Sequence, residues 1–127
     1  MGAGSSISTL PDGSDAKEAL QFKLRGDSAF QMESLKEAIF WYTRALGEIP
    51  PDLPKDTHPS DGPTNGEESM ELRAVILCNR SASYLKCEQY VSALADARRT
   101  VDIKPQWYMG YYRGAAAAYQ LGRLDEA

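Results

Sequence analysis

The chain has 127 residues, of which 43% are apolar and 25% charged, and carries a formal net charge of −4. This is about one domain of ordinary globular composition; no apolar run reaches the ~18 residues of a membrane span, and no basic start followed by an apolar stretch marks a secretory signal. A negative balance without a basic stripe argues against a nucleic-acid partner, and Cys78 and Cys87 are expected as reduced thiols of a cytoplasmic protein.

Residues 1–14 are rich in Gly and Ser and are expected to form a flexible leader. The start Met1-Gly2-Ala3-Gly4-Ser5-Ser6 also fits the N-myristoylation pattern, which makes Gly2 a candidate lipid acceptor. A membrane partner is expected only if Gly2 carries that lipid. Asp15 is placed to cap a first helix, with Glu18 three positions on as its capping-box partner. Ala19, Phe22, Ala29 and Phe30 then recur at helical spacing to about Gln31. Leu35, Ala38, Ile39, Tyr42, Ala45 and Leu46 predict a second helix, ended before Pro50 and Pro51.

Residues 50–66 hold five prolines and two glycines without periodicity, which predicts a loop. The acidic excess sits around it, in Asp52, Asp56, Asp61, Glu67 and Glu68 against Lys55. A third helix is predicted from near Glu67, a turn longer at its start than its partners, with Met70, Val75, Leu77, Ala82, Tyr84 and Leu85 as its apolar residues. A turn at Glu88–Tyr90 leads to a helix from Tyr90 to about Ile103, stopped by Pro105. Another runs from Trp107 to Gln120, with the small residues Ala115–Ala118 where helices must approach closely. Leu121-Gly122-Arg123 is expected to turn the chain, and Leu124 to begin one more helix.

These elements repeat. Lys36–Leu46, Val91–Val101 and Gly122–Ala127 align, with Ala93 and Ala127 separated by 34 residues. Ala38 and Ala93 are 55 apart, as are Pro50 and Pro105, which is one period of 34 plus an insertion of 21. A helix-turn-helix period of about 34 is the length of a tetratricopeptide repeat. Gly26, Ala38, Tyr42, Ala45 and Pro50 fit a first repeat, Tyr84, Ala93 and Pro105 a second, and Gly114, Ala118 and Ala127 a third. The expected fold is therefore all-α: 2.5–3 helix-turn-helix repeats in a right-handed α-solenoid over residues 15–127. Repeat one covers about 16–50, the inserted loop 51–66, repeat two about 67–105, and a truncated repeat three about 106–127. A chain that stops part-way through a repeat is expected to be a fragment of a longer protein.

Leu77-Cys-Asn-Arg-Ser-Ala-Ser-Tyr-Leu-Lys86, Asp96-Ala97 and Lys104-Pro-Gln-Trp-Tyr-Met-Gly-Tyr-Tyr-Arg113 resemble the tetratricopeptide domains of chaperone-binding co-chaperones. The resemblance implies a concave groove lined by the first helix of each repeat. In that family Lys and Asn, then Asn, then Lys and Arg grip the terminal carboxylate and final Asp side chain of a heat-shock chaperone's Glu-Glu-Val-Asp tail. Lys23, Asn79 and Arg113 match that pattern here, whereas Asp27 stands where the family has Asn and Met109 where it has Lys. Ionised Asp27 offers only acceptors to a carboxylate, Met109 offers no charge, and Lys23 lies one turn from Asp27, within pairing distance. Lys86 falls on the same face, where some relatives place a basic residue on the peptide.

Two functions follow from the resemblance. In one, the groove binds a peptide or C-terminal tail of a protein partner, a heat-shock chaperone tail being the implied ligand. In the other, the clamp is lost and the domain serves as a scaffold for a different partner, or positions a further effector domain, membrane-targeted through Gly2. No enzyme, metal or cofactor is expected. His58 sits in the Pro-rich loop without an orienting partner, two cysteines nine apart do not make a zinc site, and Gly110 and Gly114 follow no strand. Trp107, Tyr108, Tyr111 and Tyr112 are expected to pack between repeats and wall the groove.

Overall fold

The structure, a computed structural model, describes residues 14–49 and 65–126. These form α1 (Ser14–Gln31), α2 (Leu35–Gly47), α3 (Asn65–Lys86), α4 (Tyr90–Ile103) and α5 (Tyr108–Glu126), with no strand among the described residues. Each helix packs on the next in the chain, and α3 also touches α1 and α5. Helices α1, α3 and α5 therefore stand side by side as one row, and α2 and α4 complete two helix pairs. This is the arrangement expected of a helical-repeat solenoid.

Small residues allow the helices to approach. Ala19, Ala29, Ala38, Tyr42, Ala45, Ile49 and Ile76 form a buried cluster, with Phe22, Phe30, Leu46 and Leu72 packed against it. Gly26 of α1 lies so close to Tyr42 of α2 that an added Cβ would sit 2.6 Å from Cε1 of its ring. That contact distance is below any that real side chains tolerate, so the glycine is fixed by its neighbour rather than by its own dihedrals.

The turn between paired helices is the same in both repeats. Glu33 and Glu88 each adopt φ 63°, and they are separated by the same 55 residues as Ala38 and Ala93. Ser34 N–H donates to Ala29 O (2.9 Å) and Glu33 N–H to Phe30 O (3.0 Å). Gln89 N–H donates to Tyr84 O (2.9 Å) and Glu88 N–H to Leu85 O (3.0 Å). Each is a Schellman motif, which satisfies the last helical carbonyls by placing one residue in the left-handed region.

Three boundaries differ from the sequence reading. Helix α1 begins at Ser14, so Asp15 lies in its first turn instead of capping it. Helix α3 begins at Asn65, two residues before the predicted start at Glu67 and inside the predicted loop of 51–66. Both are shifts of one or two residues at helix ends, where the ladder frays. The third is larger: α5 runs through Leu121-Gly122-Arg123 to Glu126, with no turn and no new helix at Leu124. A glycine inside a helix costs only about 1 kcal/mol relative to alanine. Gly2, His58 and the body of the proline-rich segment lie outside the described residues.

Candidate functional site in the row of first helices

The site begins with one carboxylate. Asp27, on the inward side of α1, accepts from Lys23 Nζ at 2.7 Å through Oδ2. Its Oδ1 accepts from the Tyr42 hydroxyl of α2 at 2.5 Å and from Asn79 Nδ2 of α3 at 3.3 Å. Lys23 and Asp27 are one helical turn apart, and their side chains are 17% and 30% exposed, so the pair is only partly hydrated. Burial, then the hydrogen bond and charge of Asp27, push the Tyr42 phenol far above its ordinary range, which keeps it a donor.

Asp27, Asn79 and Arg113 line one pocket of about 260 Å³, walled otherwise by Phe30, Gln31, Tyr42 and Ala82. Arg113 comes from α5. Its guanidinium stacks 5.3 Å above the Tyr112 ring, and its buried Nε has no hydrogen-bond partner. No ion pair joins it to a carboxylate among the described residues. Beside it is Cys78, 1% exposed, whose thiol pKa is raised by burial, with Arg113 pulling the other way. The thiol is thus a packed group rather than a nucleophile. Both cysteines are free.

The six residues singled out in the sequence divide. Lys23, Asp27 and Asn79 form one hydrogen-bonded unit, and Arg113 faces it across the pocket. Lys86 stands apart: its Nζ is 3.7 Å from Glu33 and 5.2 Å from the centre of the Phe30 ring. It reaches the pocket only through Phe30, which lines it. Met109 is half-buried one turn before Arg113 and does not line the pocket. The pairing of Lys23 with Asp27 is observed as expected. The aromatic cluster is not arranged as expected: Tyr108, Tyr111 and Tyr112 are 71%, 53% and 58% exposed. Tyr111 donates to Pro105 O at 2.8 Å, and no described helix packs on the far side of α5 to cover the ring faces.

The sequence reading missed Tyr42 as a member of the site. Its place in an apolar stripe reads as core, yet a buried tyrosine hydroxyl needs a partner, and that partner is Asp27. It also missed Arg80, which donates to Asp96 through Nε (2.6 Å) and Nη2 (2.9 Å) and to Thr43 Oγ1 through Nη1 (2.9 Å). Burial pulls the Arg80 pKa down, but the Asp96 hydrogen bonds and charge outweigh it and hold it above its ordinary value. This pair ties α3 to α4 and α2; it is architecture, not part of the pocket. Among the described residues no group of His, Cys, Asp and Glu could hold a metal, and no helix is long and apolar enough to cross a membrane.

No known family's model matches the chain. Individual proteins do. Protein STIP1 homolog from Dictyostelium discoideum is 30% identical over 113 residues, which is 89% of this chain. Heat shock protein STI1 from Saccharomyces cerevisiae is 33% identical over 84% of it, and Protein unc-45 homolog B from Homo sapiens 36% identical over 87%. The chain spans only 16%, 15% and 10% of those relatives' lengths, respectively. The paired helices, the repeated turn, the row of first helices and these relatives agree: the chain belongs to the tetratricopeptide-repeat proteins, and its repeats resemble the repeat domains of chaperone-binding co-chaperones.

Proposed function

We propose that the row of α1, α3 and α5 binds a peptide segment of a protein partner, with Arg113 as its anion anchor. The observation that carries this reading is the convergence of Asp27, Asn79 and Arg113, from three helices, on one pocket with an apolar wall of Phe30, Tyr42 and Ala82. A guanidinium that no carboxylate pairs with among the described residues suits a carboxylate oxygen pair. Rigid aromatic and aliphatic walls supply the contact area that a peptide buries. The likeness to co-chaperone repeats supports the acidic C-terminal tail of a heat-shock chaperone as the peptide class to try first. Arg113 and Asn79 are the residues assigned to the ligand. Lys23 and Asp27 set the charge around it, and Lys86 and Met109 lie at its margin.

An amide-resolved NMR titration of the chain with a peptide ending in Glu-Glu-Val-Asp tests the reading. Saturable shifts are expected at the Asn79 side-chain amide and at Arg113 Nε–H, with none across α4, and Arg113→Ala should abolish them. Saturation without any change at Asn79 and Arg113, or no saturation at all, contradicts it.

A further inference from the structure

We infer that the outward face of α5 is a docking surface for a second copy of this chain, with the two α5 helices antiparallel across a two-fold axis at Ala115. This surface is separate from the peptide pocket. Arg113 lies on the opposite side of α5 from Ala115, so both can be occupied together.

The repeat register marks where a first helix is covered. Gly26 of α1 and Ser81 of α3 are separated by the 55-residue offset, and Ser81 and Ala115 of α5 by the period of 34. Gly26 is pressed against Tyr42 of α2, and the Ser81 hydroxyl donates to Ala93 O of α4 at 2.8 Å. Each is thus covered by the helix that follows it. Ala115 holds the same place on α5, yet it is exposed, and no described helix lies against it.

The face around Ala115 is uncharged and complementary to itself. At about 100° per residue, Tyr108, Tyr111, Tyr112, Ala118, Tyr119 and Gly122 all lie within about 60° of Ala115, and all are exposed. The four rings are each more than half exposed, a patch of the kind that marks an interaction site. A two-fold axis at Ala115 sets each residue opposite the one equally far on the other side. Tyr108 then meets the partner's Gly122, Tyr112 the partner's Ala118 and Tyr111 the partner's Tyr119. Rings face small residues, and Gly122 has open space, with nothing within 4 Å of an added Cβ. On the α4 side the groove is walled by Ala97 and Val101, and its two charges, Arg98 and Asp102, are opposite in sign and one turn apart. A neutral groove suits the uncharged stripe of a second α5 better than a strongly acidic or basic helix. The 19 residues of α5 are about 28 Å long, and with α4 beside it the face is about 20 Å wide. That gives about 550 Å² a copy and about 1,100 Å² in all, just above the lower bound of a specific interface.

Sedimentation equilibrium of the full chain from about 10 µM to about 1 mM should show a reversible monomer–dimer equilibrium, as an interface of this size implies. Ala115→Lys sets two like charges face to face on the axis, at a site exposed in the monomer. It should weaken the dimer about tenfold or more while leaving the helical circular dichroism unchanged. Gly122→Gln favours the helix of the monomer but fills the space taken by the partner's Tyr108, so it should weaken the dimer about fivefold. A chain that stays monomeric to the top of that range, a dimer that Ala115→Lys does not weaken, or growth beyond the dimer overturns the inference.

Discussion

Tyr42 joins the core to the site at the scale of a single residue. Its ring is pressed against Gly26, and its hydroxyl fixes Asp27. Gly26→Ala should therefore cost about 1–3 kcal/mol in urea denaturation, because the ring is held at both ends and cannot yield. Tyr42→Phe should cost about 1 kcal/mol at neutral pH, the usual net worth of such a hydrogen bond. The pH dependence has a definite sign. The phenol pKa is raised in the folded chain by burial and by Asp27, so the folded state keeps the proton after the unfolded chain, at about pH 10, has begun to lose it. The stability advantage of wild type over Tyr42→Phe should be flat below about pH 9 and shrink above about pH 10; a gap that widens there would contradict the assignment. Lys23, Asp27, Asn79 and Arg113 were legible in the sequence through the resemblance to the co-chaperone repeats, and the pairing of Lys23 with Asp27 through their spacing of one helical turn. The environment of Lys86 was not, since it depends on Glu33 and Phe30 from another helix. Nor was the hydroxyl of Tyr42, whose partner lies 15 residues away.

The elements are held by their ends and by one buried ion pair. The left-handed residue of the turn within each helix pair is a glutamate, where glycine carries no steric penalty. Glu88→Gly should therefore raise stability by about 0.5–1 kcal/mol in thermal or urea unfolding; a loss of that size would mean that the side chain supports the turn. Arg80 and Asp96 are 13% and 4% exposed at their side chains and joined by two hydrogen bonds. Asp96→Ala should cost about 3 kcal/mol or more, because it leaves a guanidinium buried without its partner. The double replacement Arg80→Met with Asp96→Leu should cost clearly less than that single change. Helix α4 and the close of α2 were readable from proline and apolar spacing. The run of α5 past Gly122 was not: a turn there requires a following helix to pack back, and one glycine does not impose it.

For the molecule as a whole, the repeat was the legible quantity. One offset of 55 residues recurs in Ala38 and Ala93 and again in the left-handed glutamates Glu33 and Glu88. Asn79 and Arg113 lie one period of 34 residues apart and share a pocket with Asp27, which stands 52 residues before Asn79 and so off the 55-residue offset. What that periodicity cannot contain is the chemistry of a substituted position. Asp27 in place of an amide reads as a lost ligand, whereas in the folded chain it gathers Lys23, Tyr42 and Asn79 around itself. The most direct test of this account is calorimetry of Asp27→Asn beside wild type, with the peptide ending in Glu-Glu-Val-Asp. Freeing Lys23 and Asn79 and removing the like charge should tighten binding about tenfold, even though the variant loses hydrogen bonds and some stability. Unchanged or weaker binding by a folded Asp27→Asn chain would contradict the account, since the charge of Asp27 and its hold on Lys23 and Asn79 would then not oppose an acidic peptide.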